Sequence, residues 1–183
     1  MTERTIRTRS STGDTRVLKN GFSNWNAFEE LFMELVLARD FKELLKLFNQ
    51  HKVKYLLIGG YAVSIHGFVR ATNDIDLAVS NDPENAGRIV AALVEFGFDA
   101  ESISEELFTK GKQVVRMGVE PIKIEILNYL EGPGFANAHK RRKTVDIEDI
   151  KVDVISLEDL YTNKAAVGRQ QDMADIEKLK ERN

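Results

Sequence analysis

Apolar residues recur along this chain with two different periods, and the change from one to the other marks its parts. Trp25, Phe28, Leu31, Phe32, Leu35 and Val36 repeat at helical spacing and predict a first amphipathic helix. Asp40, with Glu43 three residues on, has the form of an acidic capping box. It predicts a second helix whose buried face is Phe41, Leu44, Leu45 and Phe48. Tyr55-Leu56-Leu57-Ile58 is then a continuous apolar run stopped by Gly59-Gly60, the pattern of a buried strand ending in a tight turn. A short helix over 61–66 capped by Gly67, a loop over 68–73 and a second strand over 75–79 follow. Asp82-Pro83 joins an N-cap to a proline at the first helical position. Ala86, Ile89, Val90 and Leu93 supply that helix with its apolar face, and Gly97 ends it.

Further on, residues 113–117 and 122–127 alternate in polarity and predict a hairpin across 118–121. Ile122, Ile124 and Ile126 share one face, and Lys123 and Glu125 share the other. Val145, Ile147, Ile150, Val152 and Val154 predict a second hairpin that turns near Glu148-Asp149. Ser156 and Asp159 open a helix running through Val167, and residues 173–180 form the last helix. Two helices, then strands mixed with helices, then two helices make an α/β (α+β) fold, a sheet with helical flanks.

Composition narrows the function classes. Apolar residues make up 43% and charged residues 30% of the 183, the balance of a globular domain rather than of a disordered or membrane-spanning chain. Residues 1–20 are rich in Ser, Thr and Arg, lack a period and lack the apolar stretch of a signal peptide, so they read as a flexible leader. Cysteine is absent, which removes disulfides, zinc-thiolate sites and a thiol nucleophile, and permits a reducing, cytoplasmic setting. A net charge of -3 denies the chain the overall positive field of a general nucleic-acid binder, so any such contact is local.

Three features carry candidate chemistry. A glycine pair between a strand and a helix lets a phosphate approach the backbone, although most such pairs are only tight turns. Asp74 and Asp76 stand two apart, so on a strand both carboxylates leave the same face while Ile75 and Leu77 enter the core. Two like charges about 4 Å apart repel by roughly 4 kcal/mol at an effective dielectric of 20. Water on an exposed face or a bound cation relieves that repulsion. Hard oxygen donors without a neighbouring His or Cys favour magnesium or manganese over zinc. Glu125, flanked by isoleucines, shares a face with Lys123. Alone it is equally a surface cross-strand ion pair. Together, three carboxylates can hold metal ions that clamp the attacking and leaving oxygens of a phosphoryl displacement.

Residues 55–67, YLLIGGYAVSIHG, followed by 70–77, RATNDIDL, resemble the signature of minimal nucleotidyltransferases of the DNA polymerase β superfamily in glycine pair, spacing and D-h-D pair. The nearest branch in appearance is the small bacterial proteins with an R-x-T-x-D-I-D segment, some similar to toxins of toxin-antitoxin or abortive-infection systems. Residues 164–175, KAAVGRQQDMAD, resemble the family's K-x-x-x-G-R-x-x-D-x-x-D helix pair, and the likeness spans residues 40–179.

The resemblance implies a nucleotidyltransferase-like mixed β-sheet flanked by helices, with N-terminal and C-terminal helix pairs, in a single domain over 21–183. It implies transfer of a nucleoside monophosphate from a nucleoside triphosphate to an acceptor hydroxyl on RNA, protein or a small molecule. Asp74, Asp76 and Glu125 would be the catalytic and Mg2+ (or Mn2+) ligands, and Gly59 and Gly60 would cradle phosphates. Lys164 would face the triphosphate, with Arg169 beside it, and Asp172 and Asp175 would cap or orient the last helix. Arg70 either contacts a phosphate or pairs with an aspartate, and Thr72 braces the loop before the metal pair. Two departures stand out: the third carboxylate is commonly aspartate and here is Glu125, and no added acceptor-binding domain is visible. The alternative is a non-catalytic module of the same fold, working through a cognate protein partner docked on Trp25, Phe28 and Phe32. His66 and the basic run 139–143 read as packing and a solvated loop.

Overall fold

The computed structural model describes residues 39–119 and 122–182. The first expected helix and the leader fall outside them. The described residues contain six strands in one mixed sheet, ordered β3-β4-β2-β1-β6-β5. β1 (Tyr55–Ile58) and β2 (Asp74–Val79) are its centre and run antiparallel. β2 pairs in parallel with β4 (Ile122–Leu127), which forms an antiparallel hairpin with β3 (Val114–Val119) at one edge. On the other side β1 pairs in parallel with β6 (Ile150–Val154), whose hairpin partner is β5 (Lys143–Ile147).

Central position explains the sequence of β1. All four of its residues are buried, because both faces are covered and both edges paired. β4 alternates instead: Ile124 and Ile126 are buried, while Lys123 and Glu125 on the other face are partly open. Helix α1 (Arg39–Gln50) buries Phe41, Leu44, Leu45 and Phe48 as expected, against β6 and α3 (Pro83–Phe96). Asp40, expected as its N-cap, lies in its first turn, where a carboxylate still favours the helix dipole. In α3 the Asp82 side chain accepts from Asn85 N, and Gly97 takes the left-handed conformation (φ 115°) that closes the helix. Asn85 is wholly buried. Its Oδ1 accepts from Lys54 N at 2.7 Å, and its Nδ2 donates to Lys54 O at 3.1 Å and Ser80 O at 2.9 Å, tying α3 to the start of β1 and the end of β2.

Several elements differ from the expected bounds. The short helix α2 (Gly59–Ile65) includes both glycines rather than starting at Tyr61, and the last helix, α7 (Gln170–Lys180), begins three residues earlier than read. One-turn helices α4 (Glu106–Thr109) and α5 (Phe135–Lys140) escape a periodicity argument because they are too short to show a period. Helix α6 (Leu157–Val167) is capped by Ser156, whose Oγ accepts from Asp159 N, and ends at Gly168 (φ 70°), from which α7 follows at once. No helix among the described residues is long and apolar enough to cross a membrane.

Candidate active site

Alternation along two neighbouring strands assembles the acidic cluster. Asp74 and Asp76 project from one face of β2 because Ile75 and Leu77 are drawn into the core. The parallel ladder sets Asp76 directly beside Glu125 of β4, and residues in register point the same way. Burial pushes the Asp76 carboxyl up to about 6, and the negative charges of Glu125 and Asp74 push it in the same direction, against the opposing pull of Arg169 and Lys164. Asp74 and Asp76 have no side-chain ion pair with any described residue. Glu125 does: Arg116 on β3 donates from Nε to its Oε1 at 2.8 Å.

The glycine turn closes against this cluster. A Cβ on Gly59 would lie 1.9 Å from Asp76 Oδ2, and one on Gly60 would lie 2.6 Å from Thr72 Oγ1. The notch left by each glycine is therefore filled by protein, the first by the Asp76 carboxylate and the second by the loop that precedes β2. Gly59 also has φ 63°, which an L residue adopts at a cost of about 1 kcal/mol. Gly59→Ala is expected to lower the melting temperature by several degrees and to displace the Asp76 carboxylate; a thermal melt matching the wild type would contradict this packing.

The C-terminal helices meet the same face. Arg70 pairs with an aspartate, donating from Nε to Asp175 Oδ1 at 3.0 Å and from Nη2 to Oδ2 at 3.2 Å. Thr72 Oγ1 donates to the Asp74 carbonyl at 3.3 Å and so braces the loop. Lys164 is buried, and its ammonium donates to Asp172 Oδ1 at 2.9 Å and Asp175 Oδ2 at 2.7 Å. Asp172 also accepts from Arg169 Nε at 2.9 Å, and Asp175 from Gln171 Nε2 at 3.1 Å. Burial alone would raise both carboxyls, but the bonds from Lys164 to each, from Arg169 to Asp172 and from Arg70 and Gln171 to Asp175 hold them below the usual range. Asp172 and Asp175 thus orient α7 through buried ion pairs, and Arg169 serves as its N-cap residue without a side-chain capping bond.

A cleft of about 410 Å³ opens over the cluster, with Asp76, Glu125 and Gly59 on its floor, Arg116 and Tyr129 on the β3–β4 side, and Lys164 and Arg169 opposite. Arg116 is the residue that sequence reasoning missed: a turn over 118–121 would set Glu125 opposite Val114, whereas β3 runs on to Val119, pairs it with Ile122 and so sets Glu125 opposite Arg116. The basic run is absorbed by structure: Arg141 pairs with Asp159 and Arg142 with Asp153. His66 caps α2, its Nε2 2.7 Å from the Ile155 carbonyl, and burial lowers its pKa. Among the described residues, no three His, Cys, Asp or Glu side chains are gathered as a ready metal site.

Solved structures that share this arrangement of sheet and helices include proteins described as nucleotidyltransferases. A candidate nucleotidyltransferase from Thermotoga maritima superposes with a TM-score of 0.54 at 19% identity, over 79% of this chain and 92% of the other. The lincosamide antibiotic adenylyltransferase LnuA, solved with lincomycin bound, gives 0.51 at 20% identity, over 79% and 97%. At these identities the likeness is one of fold. No curated protein matches the chain in sequence. The family model described as "Nucleotidyltransferase of unknown function (DUF6036)" matches residues 35–180, and the chain belongs to that family.

Proposed function

We propose that the chain transfers a nucleoside monophosphate from a nucleoside triphosphate to an acceptor hydroxyl in the cleft above Asp76. The observation that carries this reading is the meeting of Asp74, Asp76 and Glu125 on one sheet face against the Gly59 turn. The donor set fits Mg2+ or Mn2+: all oxygen, no thiol or imidazole, with the Asp76 carboxyl lifted to about 6 by burial and by the neighbouring charges of Glu125 and Asp74. Asp74 and Asp76 would hold the ion, and Glu125 would join them. Bound there, a divalent cation supplies neutralisation of the triphosphate and acidification of the acceptor hydroxyl.

The chain's own residues position the reactants. Gly59, on the cleft floor, offers its backbone N–H to the triphosphate, and Gly60 lets the loop carrying Thr72 pack close behind it. Arg169, exposed on the cleft wall, offers positive charge to it, and Lys164 with Arg70 holds that wall in place through Asp172 and Asp175. In the transfer the acceptor oxygen bonds to the α-phosphorus as the bond from that phosphorus to the bridging oxygen breaks. Pyrophosphate leaves with the electron pair, and the acceptor proton passes to a carboxylate of the cluster, Glu125 being the candidate.

Incubation with α-labelled triphosphates and Mg2+ tests the reading against three acceptor pools: RNA, protein including any co-purifying partner, and small molecules. Lincomycin belongs in the last pool because the lincosamide enzyme shares the fold. Label is expected in one pool and to vanish in Asp74→Ala. No labelled product in any pool, with no triphosphate binding by calorimetry, would overturn the proposal.

A further inference from the structure

We infer that Arg116 is an internal counter-ion that holds Glu125 away from the cation position, so that loading the acidic cluster requires Arg116 to release it. The inference rests on the reading of Asp74, Asp76 and Glu125 as a divalent-cation site.

Glu125 sits between two ladders. Across the antiparallel β3–β4 pair it faces Arg116, and across the parallel β4–β2 pair it faces Asp76. The first neighbour offers a cation and the second another negative charge, and Arg116 Nε donates to Glu125 Oε1 at 2.8 Å. The contact uses Oε1 of Glu125, while the negative charge of Glu125 still acts on Asp76 across the ladder. Asp74 and Asp76 have no ion-pair partner among the described residues, whereas Glu125 is held by Arg116.

The two members of the pair are unequally placed. The Arg116 side chain is 67% exposed, on the edge strand β3, whereas that of Glu125 is 24% exposed. A guanidinium this open to water loses little when it lets go, since exposed ion pairs hold weakly. A dipositive ion close to three carboxylates offers Glu125 more than a monovalent, water-screened partner does. The other cations on the cleft wall are engaged elsewhere, Arg169 by Asp172 and Lys164 by Asp172 and Asp175. Arg116 alone of these three contacts a carboxylate of the cluster, and it acts as a positioning residue on Glu125.

The test is direct binding of Mn2+ to the full chain, without nucleotide and at low ionic strength, followed by electron paramagnetic resonance of the free ion. Arg116→Gln is expected to bind about threefold to tenfold tighter than the wild type, and Arg116→Lys to fall between them. In an Glu125→Gln background the Arg116→Gln gain should vanish, because the competition has lost its object. Equal or weaker binding by Arg116→Gln, in a protein whose melt shows it folded, overturns the inference while leaving the cation site in place. A gain of the same size in the Glu125→Gln background also overturns it, by making Arg116 a general charge rather than the partner of one ligand. If neither the wild type nor Arg116→Gln binds Mn2+, the cation-site reading and this inference fall together.

Discussion

Asp76→Asn is expected to melt several degrees above the wild type at pH 7.5 without divalent cations, and to transfer nucleotide at least about a thousandfold more slowly. On the proposed reading the rate effect follows from removing a cation ligand, the ion being worth several kcal/mol to the transition state at 1.36 kcal/mol per tenfold. The stability effect has the opposite sign. The carboxyl titrates near 3.8 when exposed in the unfolded chain and at about 6 in the fold, where burial first and Glu125 and Asp74 next oppose its charge. Below about pH 4 both states are protonated and Asp76 costs nothing. Between 4 and 6 the unfolded chain loses its proton while the fold keeps its own, so stability falls as pH rises, and above 6 the loss is complete. A shift of about two units bounds the cost at roughly 3 kcal/mol, and the partial opening of the side chain to water reduces it to about 1–2 kcal/mol. Asparagine carries no such charge. Paired melts from pH 4 to 8 should therefore show a gap that opens through 4–6 and is flat above it. Adding Mn2+ should narrow the gap by stabilising only the wild type. Identical melts at every pH would show that Asp76 is not desolvated as the structure has it.

What the sequence disclosed and what it withheld divide along the range of the interactions. β1, β2 and α3 were legible because their signals are local: four apolar residues before two glycines, an alternation around Ile75 and Leu77, and a helix with its stop signals at Asp82 and Gly97. The facing of Asp74 and Asp76 was legible for the same reason, since a period of two fixes it within one strand. That Glu125 lies beside Asp76 was beyond local reading, because it depends on which strand β2 chooses as its parallel neighbour. Asn85 looks in the sequence like a polar residue of an exposed first turn, yet it is buried, and one of its partners, Lys54, is 31 residues away. The Lys164 motif was legible as a pattern, but its pairing with Asp172 and Asp175 needs the chain to reverse at Gly168, and the spacing alone assigns the lysine no partner.

That buried lysine sets up the second large effect. Lys164→Ala is expected to cost about 3–5 kcal/mol of stability, read as a lower denaturant midpoint, because it strips a shared cation from two aspartates that are 4% and 0% exposed. Arg169 and Arg70 remain and hold the loss toward the lower end. The acid side of the stability curve should change as well. In the wild type both carboxyls are held below 3.8 once their bonds have outweighed burial, so their contribution is intact above that pH and is lost as pH falls through the depressed folded values. Without Lys164 the folded values rise and acid unfolding begins at higher pH. The damage also reaches the site, because Asp175 fixes Arg70, whose Nη1 would lie 3.2 Å from a Cβ on Gly60, beside the Thr72 that braces Asp74. A lysine serving chiefly as a triphosphate ligand behaves differently: its removal would leave the denaturant midpoint unchanged and raise only the KM for the triphosphate. The two outcomes separate the family motif as a phosphate handle from the same motif as the ionic clamp between α6, α7 and the loop before β2.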